Sequence, residues 1–399
     1  MGASQLANFL WRREIHRMHV RQPQWWKRIS TWGRVLAAMG MGTLATLSRV
    51  EANEPQAGSS IVKREFFYEK TSYPECHAST IEETPNGLVA AWFGGTYEKH
   101  PDVGIWFSRY VDGKWTDSVE VANGIQYTKE DGSVLRYPLW NPVLEQVSGG
   151  PLYLFYKEGP TPADWWGMVM SSQDGGKTWD LPRRLPEGIL GPVKNKGVFL
   201  EDGTLLCPTS TELGGPWRVY FELSKPPFQK WYRSELLATS DNKGGIQPSI
   251  LRHPNGKLQA LCRCDRGSTS ILETWSTDGG KHWSSLKPTS LPNPNSGIDA
   301  ITLKDGRHLL VYNHTKRDAG SPKAREMLNV AISQDGVNWL ACETLERTEK
   351  SEFSYPAVIQ TKDGMVHITY TWNRKKVAHV VLDPSKLNGI PIAGDAWPK

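Results

Sequence analysis

Eight polar residues, Arg136, Asn141, Lys157, Lys194, Asn295, Asp299, Asn313 and Arg374, stand at the ends of short apolar segments. Guanidinium, ammonium and amide groups in such places suit the binding of an anionic ligand rich in hydroxyls. "YPLWNP" (Tyr137 to Pro142) and "ADWW" (Ala163 to Trp166) add aromatic faces suited to stacking on sugar rings. Four aspartates, Asp112, Asp174, Asp278 and Asp335, recur in near-identical turns and read as holding those turns rather than as reacting groups. The five cysteines have no zinc spacing, and Cys262 and Cys264 fall on one face of an apparent strand as small apolar side chains. No metal motif stands out, and no cofactor is expected.

The elements that must position these groups are strands. "GLVAAWF", "GPLYLFY", "GTLLCPT", "GKLQALCR", "GRHLLVYN" and "GMVHITYTW" each follow a turn such as "TPNG", "LEDG", "HPNG" or "TKDG". That is hairpin chemistry with almost no helical periodicity. "SSQDGGKTW", "STDGGKHW" and "SQDGVNW" repeat one turn, and "SRYVDGKW" is a looser copy. Their spacing fits a unit of about 50 to 60 residues with four strands, provided that a degenerate turn lies near "ELSKPPFQKW". The expectation is an all-β, six-bladed propeller over residues 70–390, with each tryptophan packing back over its own hairpin.

Composition sets the outer limits. The chain is 38% hydrophobic and 22% charged, with 37 Gly, 27 Pro and 18 Trp, which suits a large ordered body. A formal charge of +5 without a basic block in the body argues against a nucleic-acid partner. Residues 1–52 read as an export address: basic residues precede "VLAAMGMGTLATL" (Val35 to Leu47), and Val50-Glu51-Ala52 suits cleavage. The apolar run is short for a membrane span, so no stable span is expected after processing, with an uncleaved anchor as the alternative. A linker is expected over residues 53–69, and a secreted or periplasmic location follows.

The pattern Ser-x-Asp-x-Gly-x-x-Trp at blade spacing resembles the Asp-box, or BNR repeat, of the sialidase (neuraminidase) superfamily, over about residues 70 to 385. The resemblance implies a site where the inner strands converge. It places Tyr355 of "SYPAVIQTKDG" at the nucleophile and Asp102 at the acid/base position, with Glu98 as competitor. It assigns Arg263 and, in a softer register, Arg325 to carboxylate binding. Two positions depart from the family pattern: His77 of "HASTIEETPNG" stands where an arginine is expected, and Gln247 of "IQPSILRHPNG" where the activating glutamate is expected. Arg136, Asn141 and Asn295 are further candidates for substrate contact.

The implied ligand is a glycan ending in an acidic sugar, since a guanidinium grips a carboxylate through two parallel bonds. Arg263 with His77 would bind one with a pH dependence. A tyrosine nucleophile needs a base, and Gln247 is not one, so Glu352, Glu75 or His77 would have to assist. Three readings follow: a sialidase-like glycoside hydrolase, a uronate-directed lyase or other glycosidase on the same propeller, and a carbohydrate-binding propeller without catalysis.

Overall fold

The computed structural model describes residues 59–265, 267–316 and 324–398; the expected export segment over 1–52 lies outside them. Six antiparallel sheets form a β-propeller. Blade 1 is built from Glu75–Thr84, Gly87–Gly95, Gly104–Val111 and Lys114–Trp115, and blade 2 from Leu139–Gln146, Leu152–Glu158, Trp166–Ser172 and Arg183–Arg184. Blade 3 comprises Val198–Phe199, Leu205–Thr211, Arg218–Ser224 and Trp231–Arg233. Blade 4 comprises Gly245–Arg252, Leu258–Cys264, Ser270–Ser276 and Lys287–Pro292. Blade 5 runs from Asp299–Thr302 through His308–Tyr312 and Met327–Ser333 to Trp339–Arg347, with Ile390–Pro391 on its edge. Blade 6 contains Phe353–Gln360, Val366–Trp372 and Lys376–Leu382, and its outer strand is Ile61–Phe66.

That last strand corrects the expected linker over residues 53–69. Ile61–Phe66 pairs antiparallel with Lys376–Leu382, so the two ends of the described chain close the ring together. Among the described residues, no helix is long and apolar enough to cross a membrane.

The apolar core is divided among the seams. One buried cluster joins blades 1 and 2 (Phe93 and Phe107 with Leu144 and Tyr156), and others join each following pair around to blades 6 and 1. Every blade therefore buries both faces, which is why "LYLFY" and "HLLVY" are nearly continuous apolar runs instead of alternating ones. Cys262 and Cys264 are buried in the seam between blades 3 and 4.

The recurring turns link the third and fourth strands. In blade 2 the Asp174 Oδ1 accepts the Lys177 and Thr178 amides at 3.0 and 2.9 Å, while the Ser172 Oγ accepts the Gly176 amide at 2.8 Å. Blade 4 repeats this with Asp278 and Ser276, and blade 5 with Asp335 and Ser333. The tryptophan folds back on its own turn as expected, the Trp283 and Trp339 Nε1 groups donating to the Gly280 and Gly336 carbonyls at 2.8 and 3.2 Å, and it also packs on the preceding blade. Trp283 of blade 4 stacks on Phe221 of blade 3 with centroids 3.8 Å apart, and Trp179 of blade 2 meets Phe107 of blade 1 at 5.4 Å. A Cβ on Gly176 would lie 2.2 Å from Phe107, so this left-handed position (φ 84°) also needs glycine for close approach. The degenerate turn falls where expected: in blade 3 Ser224 bonds the Lys230 carbonyl at 2.7 Å and Trp231 the Phe228 carbonyl at 3.0 Å. In the looser blade 1 copy, Ser108 bonds the Thr116 carbonyl instead (2.7 Å), and Asp112 is left-handed at φ 50°.

Candidate functional site

Four inner strands share one irregularity. Ala78, Asn141, Gln247 and Tyr355 are left-handed, with φ of 55°, 38°, 55° and 54°, at matching positions in blades 1, 2, 4 and 6. The strand ladder breaks beside each of them. In three cases the next residue is proline, which normally pushes its predecessor to extended backbone. Such conformations cost about 1–3 kcal/mol each and persist only where the surroundings enforce them. A bulge takes a residue out of the alternation of its strand and re-aims its side chain.

Tyr355 and Gln247 meet as a result. The Gln247 Nε2 donates to the Tyr355 Oη at 3.1 Å, and the Arg263 Nη1 donates to the same oxygen at 2.6 Å. Arg263 also donates to the Gln247 Oε1 at 3.2 Å and, through Nε, to the Asn295 Oδ1 at 2.8 Å. With two donors on its oxygen, the phenol must direct its own proton elsewhere. Arg325 joins through its bonds to the Asn295 carbonyl (3.2 Å) and Glu352 (2.9 Å). Its guanidinium lies 5.8 Å from the Tyr355 ring centroid. Sequence reasoning thus places Tyr355, Gln247, Arg263, Asn295 and Arg325 in one network. Asn141, 5% exposed, holds the equivalent place in blade 2.

His77 packs its ring on Tyr355, with centroids 4.0 Å apart, and its Nδ1 lies 2.9 Å from the Thr371 hydroxyl. Burial, and then the nearby Arg374, Arg325, Arg263 and Lys194, hold its pKa well below the usual value. Held low in this way, the imidazole would bring less positive charge to a carboxylate than the arginine expected at its position. The third cation is Arg374, from the turn between the second and third strands of blade 6. Its Nε donates to Glu352 at 3.1 Å and its Nη1 to Glu98. Those two carboxylates outweigh the burial that opposes its charge. A narrow cleft lies beside it, lined by His77, Phe93, Tyr97, Glu98 and Arg374 among others.

The other candidates are held by partners of their own. Asp102 takes the Thr96 amide at 2.9 Å and the His100 imidazole at 2.7 Å, and these bonds outweigh burial and lower its pKa. Arg136, expected on the substrate, braces that loop through the Asp102 carbonyl at 2.7 Å and Glu120 at 3.2 Å. Glu98 is committed to Arg374. Glu352 serves Arg325, Arg374 and the Ser354 hydroxyl (3.0 Å). Asn313 and Lys157 bond backbone carbonyls, and burial lowers Lys157 to about 7.

Sequence reasoning missed the wall above Arg263. Trp217 lies against the guanidinium at 5.3 Å, and burial raises the pKa of Glu212 in the same hairpin, with Arg263 nearby opposing the rise. Glu212 directly follows the strand Leu205–Thr211, in which the Ser210 hydroxyl accepts the Gln247 backbone amide at 3.1 Å. The only signal was an acid at the end of "LLCPTSTE", with nothing periodic to single it out.

A six-bladed propeller with Asp-box turns and an arginine-lined tyrosine among its inner strands has the architecture of the sialidase superfamily. The chain belongs to the BNR repeat-like domain family, which it matches over residues 86–368. It is 24% identical over 242 residues to a sialidase of Bacteroides fragilis (strain YCH46), covering 56% of this chain and 42% of that protein's length. Its fold is similar to a protein of unknown function from Dyadobacter fermentans (TM-score 0.65, 18% identity, 82% of this chain and 99% of that one). It is also similar in fold to the intramolecular trans-sialidase from Ruminococcus gnavus (TM-score 0.62, 15% identity, 83% and 99%).

Proposed function

We propose that this protein is a sialidase-like glycoside hydrolase acting on a terminal acidic sugar of glycans. The observation that carries the reading is the 2.6 Å bond from Arg263 to the Tyr355 hydroxyl, with Arg325 beside the same ring and Arg374 beside His77. Arg263, Arg325 and Arg374 receive the carboxylate of the sugar. Tyr355 then attacks the anomeric carbon as the bond to the leaving oxygen breaks, the phenol proton passing through solvent to that oxygen. Water afterwards displaces the tyrosine to release the sugar. A neutral phenol approaches an anionic sugar without like-charge repulsion. The Arg263 bond favours the charge that develops on the phenol oxygen. The basic and apolar segment over residues 1–52 supports a secreted or periplasmic site of action.

One observation favours a second reading. Gln247 donates to Tyr355 from the place where a base is needed, and an amide takes no proton. An acidic-sugar-binding propeller without turnover would have this site.

The test is incubation of the full chain with an aryl sialoside, a keto-deoxy sugar-acid glycoside and acidic polysaccharides. Products are followed by fluorophore release, mass and ultraviolet absorbance. Hydrolysis predicts fluorophore release that falls at least about a hundredfold in Tyr355→Phe while sugar binding persists. An unsaturated, ultraviolet-absorbing uronate would replace the hydrolase reading with a lyase. Binding without turnover on every substrate would leave the binding propeller.

A further inference from the structure

Lys194, Asn195 and Lys196 precede the first strand of blade 3 and reach the inner strands of three other blades. Lys194 donates to the Ile298 carbonyl at 3.0 Å beside blade 5 and to the Pro356 carbonyl in blade 6. Asn195 donates to the Gln247 and Pro248 carbonyls of blade 4, both at 3.0 Å. Lys196 pairs with Asp299 of blade 5 at 2.8 Å, and Asp299 also accepts the Val358 amide of blade 6 at 2.8 Å. Lys194 and Asn195 therefore grip the backbone at both bulges that carry the site, Tyr355-Pro356 and Gln247-Pro248, with the Lys196–Asp299 pair holding the strand just beyond Pro356, at Val358.

The grip matters because the ladder does not supply it. In blade 6 pairing runs from Ser354–Thr371 directly to Ala357–Thr369, which leaves Tyr355 and Pro356 outside. The third N–H of the Lys194 ammonium goes to the Asn195 Oδ1 at 2.7 Å, so all three donors are used within the protein. Its Nζ lies 5.7 Å from the Tyr355 ring centroid, and the residue is 3% exposed. An ammonium without a spare donor is placed to hold the tyrosine, not to bind a sugar carboxylate.

We propose that Lys194 is a positioning residue which, through the Pro356 carbonyl, holds the left-handed turn that aims the Tyr355 hydroxyl at Arg263. The kinetic part of the test rests on the hydrolase reading above; the structural part does not.

The full chain is compared with Lys194→Met, Lys194→Gln, Tyr355→Phe and the double variant Lys194→Met/Tyr355→Phe. On the aryl sialoside, Lys194→Met should lower kcat about thirtyfold and leave KM within about twofold, because the arginines are untouched. Lys194→Gln, which keeps a donor, should recover part of the loss. In the Tyr355→Phe background, Lys194→Met should add nothing, since its effect passes through that hydroxyl. A raised KM with unchanged kcat, or full additivity in the double variant, would overturn the proposal.

Crystal structures of both single lysine variants give the second arm. The Tyr355 hydroxyl should leave Arg263 in the methionine variant, and an unmoved hydroxyl overturns the assignment whatever the kinetics show. A wild type that cleaves no acidic glycoside defeats the hydrolase reading while this arm still decides Lys194. Failure of both lysine variants to fold also overturns it, because the residue would then be a general core support.

Discussion

The Gln247 side-chain amide donates to the Tyr355 hydroxyl at 3.1 Å, while its carbonyl accepts from Arg263 at 3.2 Å. The amide completes a three-membered polar ring but is not a partner able to take the phenol's proton.

Gln247→Glu supplies that partner. A carboxylate in the same position accepts from both Arg263 and the phenol, and general-base help is worth about 10²–10⁴-fold where the geometry is right. If Tyr355 is the nucleophile, kcat on an aryl sialoside rises at least tenfold, and the pH–rate profile gains an acidic limb from the new carboxyl. Steady-state kinetics from pH 4 to 8 decide it. Unchanged or lower kcat across the range counts against Tyr355 as nucleophile.

Gly297→Ala tests how closely the tyrosine is seated. A Cβ at this position would stand 3.2 Å from the Tyr355 Cδ2 and 3.3 Å from the Gln247 Oε1. The neighbours would have to move by a few tenths of an ångström, in a site where small displacements are costly. The expected result is a loss in kcat on the order of tenfold with a melting temperature close to wild type. A large loss of stability with normal kcat per folded molecule would refute this account of Gly297.

Asp278→Asn addresses the turns. The amide and imidazole of His282 and the Ser276 hydroxyl outweigh desolvation and hold Asp278 down to about 2. A carboxylate with a depressed folded-state pKa stabilises the protein above its unfolded value near ~4, and that stability is lost as pH falls toward the folded value. Wild type should therefore melt higher than the variant at neutral pH, with the gap closing between about pH 4 and pH 2. Melting curves across that range check it. A gap independent of pH would mean that the turn is held by something other than the charge.

These turns were legible in the sequence because their chemistry is local: the serine, aspartate and glycines bond within a few residues. Tyr355, Gln247 and Arg263 were legible only through the resemblance to the sialidase superfamily, whose site positions stand at fixed offsets from hairpin turns. The left-handed conformation at "WNP", "IQP" and "SYP" left only the repeated proline as a trace. Arg374 and Glu212 were harder to place because their proximity to the site is created by the ring, which brings blade 6 beside blade 1 and blade 3 beside blade 4. Ile61–Phe66 looks like part of a linker in the sequence because its partner, Lys376–Leu382, is about 300 residues away and no turn announces the pairing. The charge state of His77 could not be read at all, since it depends on complete burial among cations from elsewhere in the chain.

That distant pairing has a bearing on how the molecule is made. A chain still emerging from synthesis can form blades 1 to 5 in order, but Ile61–Phe66 waits as an unpaired edge until Lys376–Leu382 is available. Contacts at such separation are the slowest to form and the most exposed to wrong partners. His77 of the first blade and Tyr355 of the last likewise meet only across the closed ring, so the centre is complete only when the final blade docks against the first.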